Sequence, residues 1–110
     1  MTLGIVAADA YELAPYAKRL ASCEGFGPVG RYAARGETSS GDAVRMTAFG
    51  PGFAAAARGT AAILAGGPVD VLISTGTCGA LAASLALGQI VVDSRDHQPR
   101  TAATDRKSVV

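Results

Sequence analysis

Residues 69–81 read VDVLISTGTCGAL, and this stretch indicates the fold most clearly. Its first five residues, Val69 to Ile73, form a mostly β-branched run, typical of a strand buried on both faces of a parallel sheet. Small hydroxyl residues and glycines follow directly. Open α/β sheets bind ligands at the carboxyl ends of their strands, where Thr75 and Thr77 would offer hydroxyls and glycines would admit an anion. The alternative is a tight connection that needs glycine and a helix cap.

The composition favours a small-molecule ligand. The 110 residues suffice for one domain, and the charged fraction of 17% suggests that part of the surface is covered. A net charge of +1, without a Lys/Arg run, argues against nucleic-acid binding and leaves a small molecule and further copies of the chain as partners.

The cysteine pattern and the chain start indicate a cytoplasmic protein. Cys23 and Cys78 have no metal-ligand spacing, so we expect reduced thiols. The start lacks the features of a secretory signal, and no apolar run is long enough to cross a membrane. We expect the single histidine, His97, to be solvated and no metal to be bound.

The first elements are a strand and a capped helix. The apolar run Leu3 to Ala8 predicts a central parallel strand, and a helix follows with one apolar face formed by Leu13, Tyr16, Ala17 and Leu20. Asp9 is a candidate N-cap, and Pro15 is expected in the first turn. Glu12 has two interpretations. It completes a capping box, or it is a carboxylate near Thr77 that acts as a general base on water.

The middle of the chain predicts a hairpin and a second helix. Residues 31–37 and 43–49 form antiparallel strands around the turn at 38–42. Gly50 and Gly52 precede an alanine-rich helix over 53–64, where they let backbone N–H groups approach an anion. The pattern G-x-G-x-x-A, with Asp70 about 20 residues on, leaves NAD binding as an alternative.

The end of the chain is less regular. A short apolar link over 81–87 precedes a predicted buried strand at 88–93, and we expect residues 94–110 to be an unpaired tail. The predicted domain therefore covers residues 1–93. Residues 105–110 are similar to what a common sequencing adapter encodes, so the sequence from about residue 105 is expected to be artefactual.

Four motifs in register resemble the amino-terminal half of the nucleoside phosphorylase and nucleosidase superfamily, most closely its 5′-methylthioadenosine/S-adenosylhomocysteine nucleosidase branch. The motifs are Gly4 to Ala8 followed by Glu12, Gly50-Pro51-Gly52 before Ala54 to Ala56, residues 70–81, and residues 87–92. The resemblance implies a three-layer α/β/α fold with a mostly parallel sheet, present here in truncated form. The segment Asp9-Ala10-Tyr11 departs from the nucleosidases, which carry a methionine and acidic residues there.

The resemblance also implies a reaction. Members cleave the N-glycosidic bond of a purine-type nucleoside without metal or organic cofactor, using water or inorganic phosphate as co-substrate. Glu12 matches the water-activating glutamate, which favours hydrolysis, and Thr77 matches the residue that holds the water or phosphate oxygen. Cys78 and Gly79 match residues that line the nucleoside pocket through their backbone, and the Gly50 and Gly52 loop is a further expected substrate contact.

The resemblance implies an incomplete site. The family's base-stacking aromatic residue, its ribose-binding Met-Glu pair and its purine-protonating aspartate belong to the carboxyl half and have no counterpart here. We therefore expect the chain to be inactive alone and the full-length form to be a homo-oligomer. The alternatives are a non-catalytic nucleoside- or phosphate-binding module and an NAD-binding half-domain.

Overall fold

The structure, a computed structural model, describes residues 1–25, 32–77, 82–92 and 108–109. The chain divides into two units, Met1–Thr77 and Cys78–Val110. The elements of the first unit are β1 (Thr2–Ala7), α1 (Ala10–Lys18), β2 (Ser22–Gly25), β3 (Tyr32–Glu37), β4 (Ala43–Ala48), α2 (Phe53–Ala65) and β5 (Val71–Ser74).

The five strands of the first unit form one mixed sheet in the order β2-β3-β4-β1-β5. Strand β1 pairs in parallel with β4 and β5, which confirms the prediction of a central parallel first strand. Strand β3 pairs antiparallel with β4 across the predicted hairpin turn, and with β2 on its other side. The sequence did not predict β2, because all four of its residues are exposed and show no apolar alternation.

The two helices cover opposite faces of this sheet. On one face Leu13 of α1 packs against Ile5 of β1 and Met46 of β4. On the other face α2 lies close to the strands, since a Cβ on Gly59 would come within 2.7 Å of the Thr47 hydroxyl. Neighbouring residues of one strand point to opposite faces, so β1 and β4 serve both interfaces. The predicted three-layer α/β/α arrangement is confirmed.

The start of α1 follows the predicted capping box. The Asp9 carboxylate accepts a hydrogen bond from the Tyr11 N–H at 3.2 Å, and the Asp9 N–H donates to Glu12 at 3.0 Å. The position expected for Pro15 is wrong, because the helix begins at Ala10 and Pro15 lies in the second turn. Its ring nitrogen cannot bond the Tyr11 carbonyl, and the exposure of this side of the helix lets water take that place.

Strand β5 exists as predicted, but the prediction that it is buried on both faces is wrong. Val71, Leu72 and Ile73 are each more than 40% exposed. Helix α1 packs on β1, β3 and β4, and α2 packs on β1 and β4, so neither helix covers β5. Within the first unit β5 is an edge strand. Its apolar sequence predicts a strand but does not show whether a helix covers that strand.

The described residues of the second unit include a short antiparallel pair, β6 (Val91–Val92) with β7 (Ser108–Val109). The buried strand predicted for 88–93 is wrong in the described residues, since Ile90 is 62% and Val92 41% exposed. The unpaired tail is also wrong at Ser108–Val109, while His97 lies outside the described residues. In the described ranges no helix has both the length and the apolar character required to cross a bilayer.

Candidate active site at the carboxyl edge of the sheet

Three parallel strands, β1, β4 and β5, end at the same edge of the sheet, and backbone hydrogen bonds join the segments that follow them. The Gly50 N–H donates to the Ala8 carbonyl at 3.1 Å, which joins the segments after β4 and β1. The Thr75 N–H donates to the Val6 carbonyl at 2.9 Å, which joins the segment after β5 to β1. The strand ends therefore form one continuous surface, as the parallel topology predicted.

A cleft of about 340 Å³ opens at this edge. Its walls include Gly50 and Gly52 before α2, Ser74 at the end of β5, and residues 75–77 after it. The volume is near the lower end of that of small-molecule pockets. Three predicted site residues, Gly50, Gly52 and Thr77, are thus brought together in one cavity.

Glu12 is held at the same edge by two backbone groups. Its Oε1 accepts from the Asp9 N–H at 3.0 Å, and its Oε2 accepts from the Thr77 N–H at 3.0 Å, across 65 residues of sequence. The two interpretations of Glu12 are therefore compatible, since one oxygen caps α1 and the other reaches the segment after β5. An ionised carboxylate accepts up to about four hydrogen bonds, so Glu12 retains capacity for a water molecule.

Gly76 is required by the close approach of Glu12. A Cβ at this position would lie 2.8 Å from Glu12 Oε2, closer than carbon and oxygen tolerate. Its backbone φ is not positive, so the requirement is space rather than an unusual conformation. The glycine in the motif Ser74-Thr75-Gly76-Thr77 thus admits the carboxylate to the strand end.

The amino terminus of α2 faces the same cleft. Gly50 and Gly52 have φ values of +119° and +90°, which side chains disfavour, and no side chain caps the helix at Gly52. Phe53 and Ala56 of the first turn line the cleft. The partial positive charge of a helix amino terminus favours an anion or a polar ligand atom here.

Tyr16 is a site residue that the sequence interpretation missed. The helix periodicity placed it with Leu13 on the core face, but Leu13 is fully buried while Tyr16 is 40% exposed. The hydroxyls of Tyr16 and Thr75 share a hydrogen bond of 3.2 Å. The available signal was the spacing of Tyr16 from Glu12, four residues and one helical turn away.

The remaining predicted residues are not part of this cluster. Cys78 and Gly79 lie outside the described residues. Asp70 precedes β5, and its carboxylate accepts from the Thr2 N–H at 2.7 Å, which places it at the amino ends of β1 and β5. A dinucleotide fingerprint requires its acidic residue at the carboxyl edge beside the glycines, so this placement argues against NAD binding.

A larger cleft of about 690 Å³ lies along the hairpin strands and contains none of the predicted site residues. Both of its arginines are bonded to other groups of the protein. Arg35 pairs with Glu24 at 2.7 Å, and Arg45 donates to the Ile63, Gly67 and Pro68 carbonyls at the carboxyl end of α2. Arg45 therefore acts as a helix cap.

The fold is that of an α/β protein with a cleft of small-molecule size at the carboxyl edge of a parallel strand set. The sequence profile of the phosphorylase superfamily matches residues 2–105. The chain therefore belongs to the phosphorylase superfamily, as the sequence motifs predicted. A search of curated proteins found no match.

Solved structures similar to this chain include 5′-methylthioadenosine/S-adenosylhomocysteine nucleosidases. The enzyme from Streptococcus pneumoniae in complex with 8-aminoadenine is 34% identical, with a TM-score of 0.70, over 84% of this chain and 41% of that one. The same organism's enzyme with the transition-state inhibitor MT-ImmA is 31% identical, with a TM-score of 0.70, over 81% of this chain and 38% of that one.

A third similar structure is the nucleosidase from Colwellia psychrerythraea in complex with adenine. It is 27% identical, with a TM-score of 0.70, over 87% of this chain and 42% of that one. The chain thus spans about two fifths of the length of these solved structures.

Proposed function

We propose that this chain provides the water-activating part of a nucleosidase that hydrolyses the N-glycosidic bond of a purine-type nucleoside. The observation that carries this proposal is the position of Glu12, bonded to the Thr77 N–H at the cleft edge and anchored at its other oxygen to Asp9. The similar structures bind adenine and its analogues, so 5′-methylthioadenosine and S-adenosylhomocysteine are the first substrates to consider.

In the proposed reaction Glu12 acts as a general base. A water molecule bound to the carboxylate attacks C1′ of the ribose while the bond from C1′ to the base nitrogen breaks. Glu12 takes a proton from the water. The departing nucleobase takes the electron pair of the broken bond between C1′ and its nitrogen, and then a proton. Thr77 would orient the water through its hydroxyl, since its N–H already bonds Glu12. The reaction uses water as co-substrate and needs no organic or metal cofactor.

The 110-residue chain alone is expected to be inactive. The resemblance assigns the groups that bind the ribose and protonate the base to the part of the relatives that this chain does not span. Leaving-group protonation and transition-state binding supply much of the rate enhancement of such enzymes. We propose that the activity belongs to a cytoplasmic, oligomeric form that also carries those groups.

A second candidate is phosphorolysis, in which inorganic phosphate replaces water. It is favoured by one observation, the amino terminus of α2, which lies on the cleft without a side-chain cap. The product separates the two reactions, because hydrolysis releases the free sugar and phosphorolysis releases the sugar 1-phosphate. A form that also carries the ribose-binding and base-protonating groups and binds the nucleoside without turnover in either assay would be a binding module.

The decisive experiment restores the missing part. Residues 1–77 replace the matching segment of the Streptococcus pneumoniae nucleosidase, and release of adenine from 5′-methylthioadenosine is measured. The substitution Glu12→Gln keeps the size of the side chain and removes the base, so we expect kcat to fall by about 10²–10⁴-fold while binding is retained.

The matched control for this substitution is Glu37→Gln, at an exposed glutamate of β3 outside the cleft at the strand ends. It should leave kcat unchanged. Turnover by the Glu12→Gln chimera at the rate of the unsubstituted chimera would contradict the proposal and return Glu12 to a capping role alone.

A further inference from the structure

Helix α1 contacts the segment after β5 through two side chains on one of its faces. Glu12 accepts from the Thr77 N–H at 3.0 Å, and the Tyr16 hydroxyl bonds the Thr75 hydroxyl at 3.2 Å. Glu12 and Tyr16 are four residues apart and therefore lie one above the other on the helix. Their partners are two residues apart in the segment 75–77, so the two bonds run side by side.

Core packing does not set the distance between α1 and this segment. The helix packs on β1, β3 and β4, and β5 is exposed on both faces. In the described part of the chain, the hydrogen bonds that join α1 to residues 75–77 are those of Glu12 and Tyr16. The position of the segment relative to the helix therefore depends on these two bonds together with the backbone bond from the Thr75 N–H to the Val6 carbonyl.

The two bonds differ in stiffness. The side chain of Glu12, the proposed base, has three rotatable bonds. The Tyr16 side chain has a rigid ring and only two rotatable bonds between the ring and the backbone. Thr75, the partner of Tyr16, is also bonded through its N–H to Val6 of the central strand. Tyr16 thus connects α1 to a point that is itself fixed to the sheet.

We propose that Tyr16 is a positioning residue, whose hydrogen bond to Thr75 holds the segment 75–77 against α1 so that Glu12 remains in contact with Thr77. The inference rests on the proposed function, because it gives the position of Glu12 a catalytic purpose. Tyr16 itself does not line the cleft at the strand ends. Its effect on the reaction passes through Glu12 and Thr77.

The test follows the Thr77 amide by NMR in the ¹⁵N-labelled 110-residue chain. A backbone N–H that bonds a carboxylate shifts when that carboxylate is protonated, so in the wild type the Thr77 amide proton should move as Glu12 titrates. Glu12→Gln defines the movement that arises from other groups, including Asp9. We expect Tyr16→Phe, which removes only the hydroxyl, to reduce the movement toward the Glu12→Gln value.

Two further substitutions separate the hydrogen bond from packing. Thr75→Val removes the partner hydroxyl and should act like Tyr16→Phe, whereas Thr75→Ser keeps a hydroxyl and should restore the wild-type movement. Tyr11→Phe is the matched control, at a tyrosine of the same helix that is 64% exposed. It should change nothing. The amides of β1 and β4 report whether each variant is folded.

The outcomes distinguish the two proposals. A wild-type movement of the Thr77 amide that survives unchanged in Tyr16→Phe and Thr75→Val would overturn the positioning role and leave the proposed function standing. A wild-type Thr77 amide that does not respond to Glu12 at all would remove the contact on which both proposals depend.

Discussion

Strands β1 and β5 lie side by side, run in the same direction and both end at the candidate active site, yet their surroundings differ. Ile5 of β1 is 7% exposed, while its register partner Ile73 of β5 is 41% exposed. Strand β1 lies between two other strands and between two helices, whereas β5 pairs with one strand in the described part of the chain. The site therefore combines a wall held by the core with a wall held mainly by hydrogen bonds.

This difference assigns separate tasks to the two sides. The β1 side supplies a rigid support for the site, because buried apolar contacts resist displacement. The β5 side supplies Thr75 and Thr77, whose polar groups bond Tyr16 and Glu12 on α1. We expect substitutions on the first side to change the free energy of unfolding and substitutions on the second side to change the geometry of the site.

The largest expected effect contrasts the two isoleucines. Ile5→Ala should lower the free energy of unfolding by about 2–5 kcal/mol, because it leaves a cavity in the core. Ile73→Ala should cost less than about 1.5 kcal/mol, since much of that side chain already contacts water. Urea denaturation of the two variants measures both values. Equal losses would show that β5 is covered in solution and would remove the contrast.

A smaller effect is expected at Gly76, on the β5 side. Gly76→Ala places a Cβ 2.8 Å from Glu12 Oε2 and should displace the carboxylate from Thr77. In the nucleosidase chimera we expect kcat to fall by about tenfold or more, because misplacement of a catalytic group slows the reaction. The free energy of unfolding should change by less than about 0.5 kcal/mol at this exposed position.

The control for that substitution is Gly41→Ala in the hairpin turn, away from the site. Its φ of +90° makes alanine unfavourable, but no atom lies near the added Cβ. This variant should lose stability without losing kcat beyond the loss of folded protein. A Gly76→Ala chimera with full activity would show that the Glu12 contact with Thr77 is dispensable.

The smallest expected effect concerns a buried hydroxyl in β4, next to β1 in the sheet. The Thr47 hydroxyl is fully buried and has no hydrogen-bond partner among the described residues. Thr47→Val replaces it with a methyl group of similar size, and we expect the free energy of unfolding to rise by about 1 kcal/mol, because an unpaired hydroxyl is removed from the core. Thr47→Ser, which keeps the hydroxyl and loses the methyl group, should lower the free energy of unfolding. A loss of stability in Thr47→Val would indicate that the hydroxyl has a partner in solution.

Much of the candidate site followed from local sequence. Thr77 was predicted at the carboxyl end of a parallel strand, Gly50 and Gly52 were predicted at a helix start open to an anion, and Glu12 was placed near Thr77 by the helix start at Asp9. Tyr16 was missed because helical periodicity assigns a residue to a face without saying what lies opposite. The partner of Tyr16 lies 59 residues away in the sequence.

The alternative that the structure disfavours and the wrong burial of β5 have the same origin. Asp70 matched the spacing of a dinucleotide fingerprint, but a spacing does not state at which end of the sheet a residue lies. The predicted burial of β5 came from its apolar composition, which reports strand propensity and not the presence of a covering helix. Both properties depend on how separate elements pack.

Local sequence patterns were sufficient to predict four elements: β1, α1 with its Asp9 cap, the β3–β4 hairpin and α2 after its glycines. Apolar periodicity and capping residues act within a few positions, so they can be detected in one short segment. The assembled fold was needed to show that Glu12 bonds the Thr77 N–H, that Tyr16 bonds Thr75 and that β5 is exposed. Those features depend on contacts between segments far apart in the chain, which form only when the whole sheet and its helices are assembled.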